Sequence, residues 1–98
     1  MANLILDERD QKFLLYEMFD VETLLEQPKF EEFSREMLDM ILEEARKFAV
    51  NEIFPTLKSG DTEGCRLENG QVHVPKAFHP FYNLYCEAAW GAMSFLPE

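Results

Sequence analysis

The sequence predicts an all-α chain, a helical bundle of three main helices with one small β-hairpin, and three observations carry that expectation. Apolar residues recur at helical spacing in three stretches, an Asn-Gly pair sits between two short alternating runs, and no internal repeat or low-complexity tract interrupts them. The 98 residues fit one domain at most, and 47% of them are hydrophobic, too many for a disordered acidic tail.

Asp7 is of the N-capping type and is followed three residues later by Asp10, so the first helix is expected from there through Phe19. Phe13, Leu14 and Met18, with Leu6, form its apolar set. A short helical turn around Val21 to Glu26 then precedes Pro28. Between Pro28 and Pro55 the period is clearest, with Phe30, Phe33, Met37, Leu38, Ile41, Ala45, Phe48 and Ala49 falling at spacings of three and four. At about 100° per residue, Glu32, Arg35, Glu36, Asp39, Glu43 and Arg46 lie opposite, as a solvated face. Glu31 with Arg35, and Glu43 with Lys47, are i,i+4 pairs with the acid first. Pro55 lacks a donor and crowds the preceding turn, so it ends or kinks this helix, with Thr56 to Ser59 continuing at a new angle. Ser59 to Gly64 reads as loop by composition.

Asn69-Gly70 is the strongest short hairpin signal in the chain. A two-residue turn there pairs Glu68 with Gln71, Leu67 with Val72, Arg66 with His73 and Cys65 with Val74. This register places Cys65, Leu67, Val72 and Val74 on one face, to be laid on a helix, because a lone hairpin is not stable. After Pro75, residues Phe78, Phe81, Tyr82, Tyr85, Cys86, Ala89, Trp90 and Met93 form an unbroken apolar stripe at helical spacing, with Pro80 early enough in the helix to be tolerated.

Composition also excludes function classes. Nine Lys plus Arg against 19 Asp plus Glu give a net charge of −10, the wrong sign for nucleic acid or an anionic membrane surface. No apolar run approaches a membrane span and no secretory leader is visible, so a soluble cytoplasmic protein is expected, with no membrane partner. Cys65 and Cys86 are too few for a disulfide scaffold and read as reduced thiols, the first inward and the second packed in the stripe. With His73 and His79 they have the composition of a zinc site, but Cys65 and His73 point to opposite faces, and His79 and Cys86 are about 10.5 Å apart along a helix. No metal ligand is therefore assigned. Most carboxylates face outward, and Glu44, Asn51 and Glu52, which fall beside the apolar arc, read as edge residues rather than a catalytic pair. No nucleophile elbow or glycine-rich phosphate loop exists, so no catalytic or cofactor-binding residue is assigned. Phe78, Phe81, Tyr82, Tyr85, Trp90 and Met93 remain as the candidate partner or pocket face: nine Phe, three Tyr and one Trp are many rings for so short a chain.

Ala45-Arg46-Lys47-Phe48-Ala49-Val50-Asn51-Glu52-Ile53-Phe54-Pro55 followed by Asp61 resembles the first long helix of the acyl-CoA dehydrogenase family. Val74-Pro75, then Leu84-Tyr85 leading into Glu87-Ala88-Ala89-Trp90, Met93 and Pro97-Glu98, resembles the helix that precedes the family's glycine-rich loop; Ala89 stands where the family usually has glycine. The resemblance implies an N-terminal extension over residues 1–34 and part of the N-terminal helical domain over residues 35–98. It also implies a parent enzyme of fatty acid metabolism that passes electrons from an acyl-CoA through FAD to an electron-transferring flavoprotein. FAD and the glutamate base belong, by that resemblance, to domains that these residues do not match. Two readings follow: a fragment of such a dehydrogenase, inactive alone, that helps wall the acyl pocket and support assembly, or a self-standing helical interaction module derived from the fold. In either case a homodimer built on the first helix or on the Phe78 to Met93 stripe is expected.

Overall fold

Every residue from 5 to 95 is described in the computed structural model; residues 1–4, and the Pro97-Glu98 pair with Leu96, lie outside the described residues. The chain is mostly helical with a single two-stranded antiparallel hairpin, as its periodicities predict. Its contacts gather into two compact units, Met1–Val50 and Asn51–Glu98.

In Met1–Val50, the Asp7 carboxylate accepts from the Arg9 and Asp10 amides and opens α1 (Glu8–Lys12), as its capping pattern predicts. Phe13–Met18 then widens into a π-helical segment closed by the Phe19 amide on the Leu14 carbonyl at 2.9 Å. Each wider turn rotates the side chains that follow. The expected apolar set is consequently displaced: Phe13, Leu14 and Met18 are exposed, whereas Leu15 and Tyr16 are half-buried. Asp20 takes a left-handed φ of 48° and holds the Thr23 hydroxyl at 2.7 Å ahead of α2 (Val21–Leu25).

The long helix begins later than its apolar period suggests. Phe30 ends a 3₁₀ turn opened by Pro28, and Ser34 caps α3 (Arg35–Phe48) by accepting from the Met37 amide at 3.2 Å, so Phe30 and Phe33 precede the helix. Leu38, Ile41, Leu42, Ala45 and Phe48 form its half-buried apolar side. The opposite side is not wholly solvated as expected: Asp39, Glu43 and Arg46 are half-buried because Tyr16 and Glu8 reach them. The expected i,i+4 ion pairs are replaced by shorter-range or more distant partners. Arg35 pairs with Glu22 at 2.7 Å, Arg46 with Glu43 at 2.6 Å, and Lys47 with Glu44 at 3.1 Å.

After a π-helical turn at Ala49–Ile53, Pro55 tightens the backbone into a 3₁₀ turn over Phe54–Thr56, and α4 (Leu57–Glu63) follows. Ser59 to Glu63 is thus helix, not loop. The polar composition misleads because Gly60 is there for room: a Cβ on it would lie 2.5 Å from Cε1 of Phe78. Gly64, at φ 66°, ends the helix in a conformation that other residues disfavour.

The hairpin of β1 (Arg66–Glu68) and β2 (Gln71–His73) has the expected register, Arg66 opposite His73, Leu67 opposite Val72 and Glu68 opposite Gln71. Asn69 and Gly70 both have positive φ, as a two-residue primed turn requires. Its apolar face is not laid on a helix: Leu67 is 71% and Val72 70% exposed. The Lys76 amide donates to Glu63 at 2.9 Å, and Pro75 is fully buried.

α5 (Phe78–Glu87) stops short of the predicted stripe. Ala89 adopts a left-handed φ of 59°, and Trp90–Ser94 winds as a separate 3₁₀ helix, so Trp90 and Met93 do not continue the face of Phe78. Among the described residues no apolar side chain of either unit is buried apart from Pro75.

Candidate functional site

Four of the aromatic candidates sit on α5. Phe78 and Phe81 tilt against each other with ring centroids 5.3 Å apart, and Tyr82 stacks with Tyr85 at 6.3 Å and 16°. Phe78, Phe81 and Tyr82 join Val74 and His79 in a shallow apolar cleft of about 350 Å³. Tyr85 lies elsewhere, against the turn at Gly91. Trp90 is half-buried, while Met93 is 60% exposed. The six candidates therefore divide into a cleft (Phe78, Phe81, Tyr82), a neighbouring ring (Tyr85) and a detached turn (Trp90, Met93).

The cysteines differ from expectation. Both are free, but Cys65 is exposed rather than inward and Cys86 is exposed rather than packed. The cause is the same in each case, since the faces on which they lie are uncovered. Interaction with the neighbouring Cys86 holds the Tyr82 phenol above its ordinary pKa. Among the described residues no three His, Cys, Asp or Glu side chains converge as metal ligands. Glu44 is taken up by Lys47, and Asn51 and Glu52 are exposed.

A second constellation, which sequence reasoning missed, lies within Met1–Val50. The Tyr16 hydroxyl donates to Asp39 at 2.6 Å while the Arg35 guanidinium lies 4.1 Å over its ring and pairs with Glu22. Burial, followed by the hydrogen bond and charge of Asp39, pushes Tyr16 up to about 12. Arg46 clasps Glu43 through two hydrogen bonds and also pairs with Glu8; its donation holds Glu43 below the usual carboxylate range. These residues join α1, the π-helical segment, α2 and α3. Each of these side chains is paired with another of the group, which makes the group a clasp between helices rather than a reaction centre. No local spacing announces it, because Tyr16 and Asp39 are 23 residues apart.

A flavin fits neither place. The α5 cleft offers only His79 and Tyr82 as polar side chains, Phe78 fills the space beside Gly60, Tyr85 lies against Gly91, and Gly64 and Gly70 serve turns, so among the described residues no glycine offers a backbone cradle for a pyrophosphate. No step of flavin chemistry is derived from these residues.

The sequence is 36% identical over 87 residues to 3-methylmercaptopropionyl-CoA dehydrogenase of Ruegeria pomeroyi. That match takes in 83% of this chain but only 15% of the relative's length. No protein-family model matches the chain. No solved structure matches it either. Among the described residues no helix is long and apolar enough to cross a membrane.

Proposed function

We propose that this chain is the N-terminal segment of an acyl-CoA dehydrogenase, inactive alone, in which residues 1–34 form an extension and residues 35–98 part of the N-terminal helical domain. The observation that carries the reading is the 36% identity with a named acyl-CoA dehydrogenase over nearly all of this chain. Uncovered rings support it. Phe13, Phe19, Tyr82, Tyr85 and Phe95 are all more than a third exposed, a state that apolar side chains leave when further protein packs on them. In the parent enzyme FAD and the acyl-CoA base come from other parts of the chain, electrons pass to an electron-transferring flavoprotein, and the Phe78 to Met93 region helps to wall the acyl pocket. The cytoplasm is its compartment. By itself the 98-residue chain is a homodimer.

The test is direct. The isolated chain is expected to purify colourless and to reduce no flavin-coupled dye when given acyl-CoAs, including 3-methylmercaptopropionyl-CoA. Stoichiometric yellow flavin absorbance would overturn the inactive-segment reading. A self-standing interaction module would instead be indicated if a continuing frame in the gene encoded no flavoprotein domains.

A further inference from the structure

We infer that in the homodimer of this chain the contact surface is the apolar face of Asn51–Glu98 built from Leu67, Val72, Val74, Phe78, Phe81 and Tyr82, and that residues 1–50 stay outside it. The inference rests on the homodimer reading above and specifies its surface. Leu67 and Val72 face each other across the hairpin, and Val74, just past the end of β2, lines one cleft with Phe78, Phe81 and Tyr82. The patch is therefore continuous from the hairpin to α5, and it carries no charge.

Area and charge then select the occupant. The chain exposes 8175 Å², whereas a closed globule of 11.5 kDa exposes about 5,800 Å² and two separate globules of half that mass about 7,000 Å². Even against two separate globules, the exposed area is in excess by more than the roughly 800 Å² per partner of a standard interface. Residues 1–50 hold thirteen acidic against six basic residues, while residues 51–98 hold six against three. Two copies meeting through the first half would set −7 against −7; through the second half, −3 against −3. In that second half Arg66 is already matched by Glu63 and Glu68. A two-fold contact sets each patch on its own copy, and the less charged half is where this is least opposed.

Light scattering coupled to size exclusion at micromolar concentration tests it, with circular dichroism checking that each variant keeps its helicity. Wild-type chain is expected at twice 11.5 kDa. Tyr82→Glu and Leu67→Glu, both at exposed positions, are expected to weaken self-association at least tenfold and give monomers. Phe19→Glu, equally exposed in the first half, is expected to leave the dimer intact. A dimer dissolved by Phe19→Glu, or untouched by both Tyr82→Glu and Leu67→Glu, overturns this surface while the homodimer reading stands. A wild-type monomer overturns both.

Discussion

The two halves of the chain hold themselves together by different chemistry. Met1–Val50 is clasped by polar side chains, with Tyr16 on Asp39, Arg35 on Glu22 and the Tyr16 ring, and Arg46 on Glu8 and Glu43. Asn51–Glu98 is held by shape: Phe78 occupies the space beside Gly60, Pro75 is enclosed, and one backbone amide reaches Glu63. Neither half closes an apolar core among the described residues. A clasp of exposed or half-buried charges is worth little in water, and a single ring against a glycine is a small core. The difference teaches that each half orders its helices locally while leaving its largest apolar area for another surface.

Breaking the second half at its closest approach should give the largest effect. Gly60→Val places a branched side chain where Phe78 now lies, and overpacking of this kind costs about 1–3 kcal/mol. Urea denaturation should show the loss, and Phe78→Ala in the same chain should recover part of it. Full additivity of the two substitutions would mean that the ring and the glycine do not meet.

The first half should respond next. Tyr16→Phe removes the donor to Asp39 and is expected to cost about 1 kcal/mol. Its pH dependence is a sharper probe. Tyr16 is raised in the folded chain from 10.0 to about 12, so its contribution is complete below pH 10 and disappears as pH rises toward 12. Wild type should therefore lose more stability than Tyr16→Phe between pH 9 and 12; parallel losses would place the phenol outside the clasp.

Ala89→Gly comes third and has the opposite sign. An alanine at φ 59° occupies a region that costs non-glycine residues about 1 kcal/mol, so glycine should stabilise the turn before Trp90 by roughly 0.5–1 kcal/mol. A lower melting temperature would show that residues 88–93 prefer the continuous helix that their spacing suggests. The smallest effect is expected at Leu67→Asp, within about 0.5 kcal/mol of Arg66→Asp in the monomer, because Leu67 is exposed; a several-fold larger loss would mean the hairpin face is covered after all.

Local chemistry is what the sequence made legible. Asp7 as a cap, the Val21 turn, the Asn69-Gly70 turn and the strand register all depend on neighbours within a few residues, and all are found. Burial was not legible, because alternation at Leu67 and Val72 and periodicity from Phe78 to Tyr85 say which residues share a face but not what covers it. The π-helical turn at Phe13–Met18 also shifted a face that a 3.6-residue period had assigned. For the candidate site, rings at 78, 81 and 82 were found together, whereas Trp90 and Met93 were lost to a single left-handed residue. Gly60 was misread because its polar neighbours from Ser59 to Gly64 suggest a loop, and only the approach of Phe78 shows why glycine stands in that helix.

If this chain is interchangeable with a segment of an acyl-CoA dehydrogenase, its α5 rings are the face on which the rest of that enzyme packs. A chimera in which these residues replace the aligned segment of the Ruegeria pomeroyi 3-methylmercaptopropionyl-CoA dehydrogenase tests both at once. The chimera is expected to retain 3-methylmercaptopropionyl-CoA dehydrogenase activity, and Phe81→Ala together with Tyr82→Glu is expected to lower it. A folded chimera without that activity, or one indifferent to those two substitutions, would contradict this reading.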